Sequence, residues 1–184
     1  NIGGSWSQIG QDIDGEAAED QSGHSVSLST YYSSLNNASF EIVAIGSPQF
    51  YANSDQRGHV RIYMYLGSPT PGAQAPWSQM GQIEGESPTD RSGYSVSLSS
   101  NGSIVAIGAP NNDENGNNAG HVRIYENNSH FFNDPWLQLG QDIDGEVSSL
   151  SGRSVSLSSD GSVVAIGSIW NNDNGFRSGN VRIF

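Results

Sequence analysis

Ser92-Gly-Tyr-Ser-Val-Ser-Leu-Ser99, Ile104-Val-Ala-Ile-Gly108 and Gly120-His-Val-Arg-Ile-Tyr125 decide the fold, because each block occurs three times in the same order. The first recurs as Ser22–Ser29 and Ser151–Ser158, the second as Ile42–Gly46 and Val163–Gly167, the third as Gly58–Tyr63 and Gly179–Phe184. A tryptophan block leads each set, at Trp6–Glu16, Trp77–Glu86 and Trp136–Glu146. Residues 1–184 therefore read as a single region of three repeats, 6–63, 77–125 and 136–184. The first is longer, mainly through an insertion at Tyr31–Glu41, and the connectors Met64–Pro76 and Glu126–Pro135 vary in length as surface loops do.

Each block is short and bounded by Gly, Asn or Ser, the signature of strands. Ser-Val-Ser-Leu-Ser alternates with period 2, so Val26 and Leu28 face one way and the serines the other. Ile104-Val-Ala-Ile is continuously apolar, as in a strand covered on both faces. Asn101-Gly102 and Asp160-Gly161 separate the first two strands and mark tight hairpins. No window has sustained helical periodicity. The expectation is an all-β protein whose repeats are four-stranded antiparallel β-propeller blades, since four strands in about 50 residues is the arithmetic of a blade.

With 19 acidic against 7 basic residues the formal net charge is -12. Such a surface repels phosphates, which argues against nucleic acid and anionic membranes as partners. The absence of Cys removes disulfides, thiolate metal sites and Cys nucleophiles. No apolar run approaches the roughly 20 residues of a membrane helix, and Asn1–Gln11 has neither the basic start nor the apolar core of a signal peptide.

Ser92-Gly-Tyr-Ser-Val-Ser, Ile104-Val-Ala-Ile-Gly-Ala-Pro110 and Gly120-His-Val-Arg-Ile-Tyr125 resemble the FG-GAP repeats of integrin α-subunit propellers. The resemblance covers all three repeats. It implies antiparallel blades around an axis in an extracellular or cell-surface protein that adheres to or binds ligands. The family's calcium loop in the first hairpin is not carried over, because Ser-Ser-Asn101-Gly-Ser and Ser-Ser-Asp160-Gly-Ser hold too few carboxylates for the six to eight oxygens Ca²⁺ takes. The Phe of the Phe-Gly step is also serine here, at Ser22, Ser92 and Ser151.

Naming the strands of a blade A to D, with the tryptophan block as D, the order is D, ABC-D, ABC-D, ABC. Trp6–Gln11 then lacks an A, B and C, and the last A, B and C lack a D. Three blades are too few for a ring, since propellers have four to eight. The chain is accordingly expected to be part of a larger propeller or half of a six-bladed one, partnered by neighbouring repeats or by a second copy. Trp6–Gln11 is expected to pair with a strand equivalent to Gly179–Phe184, in this chain, in a second copy or in a neighbouring repeat.

The D-to-A and B-to-C loops of a blade emerge on one face, and together they hold every carboxylate except Glu41, Glu126, Asp134 and Asp160. Candidates for a ligand-binding face are Asp55, Asp113, Glu114, Asn115, Asn171 and Asp173. Asn and Asp suit sugar hydroxyls or a basic protein patch, and hard oxygens suit Ca²⁺, a candidate cofactor rather than a required one. Asp12 with Asp14 and Asp142 with Asp144 are the candidate cation ligands. The competing reading of the repeated Asp-x-Asp-Gly-Glu is turn chemistry. The second repeat has only Ile83-Glu-Gly-Glu, so the fold does not require the paired Asp.

Arg61, Arg123 and Arg182 recur on strand C and are expected between blades. His59 and His121 recur, but the third repeat has Asn180, which breaks a three-His zinc reading. Trp6, Trp77 and Trp136 read as packing anchors. Asn37 and Asn127 are candidate glycosylation acceptors. No lone His stands with Ser and Asp in a catalytic frame. The functional expectation is a non-catalytic extracellular module for binding or adhesion to a protein or carbohydrate. The alternatives are a structural subunit of a surface layer or filament, and a propeller-type carbohydrate-active enzyme.

Overall fold

The structure is a computed structural model that describes residues 4–35, 37–49, 56–67, 76–127 and 134–184. Among these there is no helix, so none is long and apolar enough to cross a membrane. Strands β1 (Ser25–Ser33), β2 (Ala38–Ser47), β3 (His59–Tyr65) and β4 (Trp77–Glu84) form one antiparallel sheet in sequence order. A second comprises β5 (Ser95–Leu98), β6 (Ile104–Ala109), β7 (His121–Glu126), β8 (Leu137–Gln138) and β9 (Ile143–Asp144), the last two both pairing with β7. β10 (Ser151–Leu157), β11 (Val164–Ser168) and β12 (Asn180–Ile183) make the third. These are three blades with the expected A-B-C-D order, the second blade's D strand being interrupted and the third having none among the described residues.

The hairpins form where the turn residues stand. Asn101 Oδ1 accepts from Ser103 N at 3.1 Å and from the Ser99 and Ser103 hydroxyls at 2.9 Å, with Gly102 at φ +70. Asp160 repeats the arrangement, and its hydrogen bonds from Ser158 and Ser162 hold its pKa down at about 2. The insertion is no loop. It lengthens the β1–β2 hairpin, pairing Tyr31 with Phe40 and Tyr32 with Ser39, and the Tyr31 and Phe40 rings stack at 6.3 Å. Of the connector Glu126–Pro135, residues 128–133 lie outside the described residues.

Period-2 alternation gives each sheet two faces, and consecutive blades stack unlike faces. Ile42, Ala44, Val60, Ile62 and Met64 of the first blade pack on Val96, Leu98, Val105, Ile107 and Tyr125 of the second. Ala106, Val122 and Ile124 of the second pack on Val155, Leu157, Val164 and Ile166 of the third. Serines stitch the A strands together: Ser27 Oγ accepts from Leu98 N and Ser97 Oγ from Leu157 N, both at 2.9 Å. Ser25 and Ser95 donate to the carbonyls of Gly93 and Gly152 at 2.8 and 2.7 Å. The outer faces of the stack are bare, with Val26 and Leu28 exposed at one end and Val181 and Ile183 at the other.

Of the three pairings expected for the amino-terminal block, the one within this chain is not made. Trp6–Gln11 forms no strand and does not pair with β12 in this chain, and Trp6 is 90% exposed, so it anchors nothing here. The segment nevertheless sits where a preceding blade would place its D strand. Arg61 donates to Asp14 O at 2.7 Å, as Arg123 donates to Glu84 O at 3.0 Å and Arg182 to Asp144 O. Gln8 Nε2 donates to Asp12 Oδ1 at 2.9 Å, as Gln138 Nε2 does to Asp142 Oδ1 at 2.6 Å. Without a C strand beside it, its backbone groups have no ladder to join.

Candidate functional site

The D-to-A and B-to-C loops meet at one edge of the stack, tied by side-chain amides. Asn112, almost fully buried, donates from Nδ2 to Asp90 Oδ2 at 3.1 Å, while its Oδ1 accepts from Glu114 N at 3.0 Å. In the next blade Asn171 donates to Glu146 Oε2 at 2.9 Å and accepts from Asp173 N at 3.0 Å. Asn115 Nδ2 donates to Gly145 O at 2.7 Å, and Asp113 Oδ1 accepts from Asn118 N at 2.6 Å. Of the residues expected on a binding face, Asn115, Asn171 and Asp113 thus shape the loops themselves. Asp173 enters this network through its backbone N–H, and Glu114 keeps an exposed carboxylate. Asp55 lies outside the described residues.

Where the first two blades meet, strand C brings charge to this edge. Arg123 bridges from β7 to Glu86 Oε1 at 2.9 Å and to Glu84 O, with its guanidinium 5.5 Å from the Tyr125 ring centre. Arg61 reaches Tyr63 Oη, Asp14 O and Ser22 Oγ at 2.7–2.9 Å and Glu16 at 4.0 Å. Arg123 lies between blades, as the recurrence implies, and Arg61 makes the equivalent contacts to the amino-terminal segment.

Beside Arg123, His121 is buried with Nδ1 3.3 Å from Asp142 Oδ2. Glu86, Glu114, His121 and Asp142 each offer one ligand atom, all within 4.8 Å of one another. The four come from the β4–β5 loop, the β6–β7 loop, β7 and the residue just before β9. Burial, with help from Arg123 and against Asp142, pushes the His121 imidazole well below its ordinary pKa, so it is neutral at pH 7. Burial likewise raises Glu86, Asp90 and Asp144; Asp142 adds to the rise at Asp144, while Arg123 opposes it at Glu86.

The expected pairs of cation ligands separate. Asp142 joins the cluster, whereas Asp144 pairs with His121 through the strand register only. Among the described residues Asp12 and Asp14 belong to no comparable group; Asp12 accepts from Gln8 and Asp14 contributes its carbonyl to Arg61. Glu86 and His121 were not expected at such a site. The available signal was the extra residue, Asp142, by which the third tryptophan block exceeds the second.

Asn37 is exposed at φ +54, its Oδ1 accepting from Tyr32 Oη at 2.6 Å. Asn127 is buried and its Nδ2 donates to Asp134 O at 3.1 Å, so a glycan on that nitrogen requires this contact to break.

Residues 77–125 match the FG-GAP repeat family, consistent with an FG-GAP-like repeat protein. The first and third repeats carry the same blocks in the same order. No curated protein matches the chain.

Proposed function

We propose that this chain is a non-catalytic, extracellular β-propeller module that binds a partner through the acidic, amide-rich edge of its D-to-A and B-to-C loops. The observation that carries the reading is the convergence of Glu86, Glu114 and Asp142 within 4.8 Å of one another on that edge. The Arg123 guanidinium matches only one of these three like charges, and the remaining carboxylates repel. A cation, a basic protein patch or a hydroxyl-rich sugar supplies what the edge lacks. The FG-GAP match supports an adhesion-type propeller module. Many other polar groups of the edge are engaged in holding loops, as Asp90 and Asp113 show, which favours a rigid recognition surface over acid–base chemistry.

The test is a glycan array run beside a panel of basic and neutral protein ligands, with wild-type chain and with Glu114→Gln/Asp173→Asn. Binding that weakens with rising salt and in the variant supports the reading. Equal behaviour of the two proteins, or turnover of a glycan substrate, overturns it.

A second reading, assembly of a layer or closed ring, is favoured by the bare apolar faces at Val26 and Leu28 and at Val181 and Ile183. The corresponding Val96, Leu98, Val122 and Ile124 between the blades are buried.

A further inference from the structure

We propose that Glu86, Glu114, His121 and Asp142 form a site for one zinc-class divalent cation, distinct from the calcium loop implied by the FG-GAP resemblance. Carboxylates alone would not make such a site. The independent observation is His121: almost fully buried, it has an Nδ1 without a hydrogen-bond partner among the described groups, and that atom stands among the three carboxylates. At 3.3 Å from Asp142 Oδ2 the ring lies close without hydrogen-bonding geometry. If the proton is on Nε2, the Nδ1 lone pair faces carboxylate lone pairs, an arrangement that repels unless a cation lies between them.

The donor set selects the metal. An imidazole nitrogen with carboxylate oxygens suits Zn²⁺ and related first-row ions. Ca²⁺ takes six to eight ligands, all oxygen. Tetrahedral ligands at about 2.0–2.1 Å from Zn²⁺ stand about 3.4 Å apart. Atoms already within 4.8 Å of one another reach that spacing by small side-chain rotations. The charges also balance. Three carboxylates and the Arg123 guanidinium on Glu86 leave two negative charges, which one dication cancels.

The cluster breaks the repeat. The first repeat keeps Glu16 and His59, but its sequence has Ala52 at the place of Glu114 and Gln82 faces Arg61 in the register. The third keeps Glu146 and Asp173 but has Asn180 for His121. Architecture that every blade needs would recur in every blade. This set occurs at one junction among the described residues.

The experiment is calorimetric titration of the chelator-stripped full chain with ZnCl₂ at pH 7.5, repeated in excess CaCl₂, together with the ¹⁵N signals of the His121 ring. Wild-type chain should bind one Zn²⁺ that Ca²⁺ does not displace, with a shift at His121 Nδ1. Glu114→Gln and Asp142→Asn should each weaken binding by about tenfold or more, the scale on which even outer partners of ligands act. Urea midpoints close to wild type will show that the variants fold. If Asp142→Asn disturbs the Gln138 contact, Glu114→Gln and the wild-type ring signal carry the test. Absence of saturable binding, displacement by Ca²⁺, affinity unchanged in Glu114→Gln, or a His121 ring that does not respond overturns the proposal. None of these readouts depends on a protein or glycan partner.

Discussion

Asn171 Nδ2 donates to Glu146 Oε2 at 2.9 Å, taking up in the third blade the link that Asn112 Nδ2 makes to Asp90 Oδ2 at 3.1 Å in the second. The third repeat has Ser149 where the second has Asp90, so the buried amide turns to a carboxylate three residues earlier. The two links differ in what a deletion leaves behind. Asp90 is buried and Glu146 is exposed. Asn112→Ala should therefore cost about 2–3 kcal/mol, because a buried carboxylate loses a donor, while Asn171→Ala leaves Glu146 free to rehydrate and should cost about 1 kcal/mol. Urea unfolding of the two variants measures the difference, and equal losses would place the cost in the asparagines alone.

His59 gives the fold a pH dependence. Burial first, and Arg61 second, lower its pKa from 6.5 to about 4. The unfolded chain therefore binds the proton more readily, and stability falls as pH drops from 6.5 through 4. The whole effect of one such shift is roughly 3 kcal/mol. Glu86, Asp90 and Asp144 have raised values and act the other way, their share being present at acid pH and lost as pH rises through their folded pKa. His59→Asn uses the residue the third repeat has at this position. It should flatten the fall in urea midpoint between pH 6.5 and 4; an unchanged slope would mean that other groups drive acid unfolding.

Blade spacing makes the glycines unequal. A Cβ on Gly46 would stand 2.0 Å from Gly93 O and 2.3 Å from Ser25 Oγ, inside the contact that joins the first two blades. A Cβ on Gly140 would meet nothing within 4 Å, though its φ of +78 disfavours a side chain. Gly46→Ala should destabilise by about 3 kcal/mol or more, the upper end of overpacking costs, since backbone and not a mobile side chain must yield. Gly140→Ala should cost about 1–2 kcal/mol of backbone strain. Thermal unfolding ranks the two, and the reverse order would mean that the blades separate easily.

The repeated blocks made the strands, their order and the interblade arginines legible, because period and turn residues are local properties. Trp6–Gln11 reads as a strand for the same reason, yet a strand needs a neighbour to supply its ladder, and sequence similarity to β4 does not provide one. The cluster around His121 was harder to see. Its members lie on separate loops and strands, and whether Asp142 points at His121 depends on how the chain bulges between β8 and β9, where one residue more than in β4 must be accommodated. The amide links were hidden similarly: Asn112 and Asn171 read as generic turn residues, while their burial is set by the D-to-A loop folding over them.

The bare ends of the stack lead to a prediction about association. Val96 and Leu98 are buried because the first blade covers them; Val26 and Leu28 hold the same positions in the first blade and are more than 60% exposed. Val122 is fully buried and Ile124 nearly so beneath the third blade, whereas their equivalents Val181 and Ile183 are exposed by 67% and 71%. The two ends are thus the two halves of an interface the chain already makes twice, and a second copy fits head to tail. Each large apolar side chain covered there contributes about 1.5–3 kcal/mol before the cost of association. The same contact would bring Trp6–Gln11 beside the open edge of β12, where the missing D strand belongs. Light scattering should show residues 1–184 as a dimer at micromolar concentration. Val181→Asp/Ile183→Asp should be monomeric with blade stability retained, since neither residue packs inside the stack. Deleting residues 1–11 should weaken the dimer while leaving the three sheets intact by circular dichroism. A wild-type chain that stays monomeric at these concentrations, or a double Asp variant that still dimerises, would show that these faces do not close on a second copy.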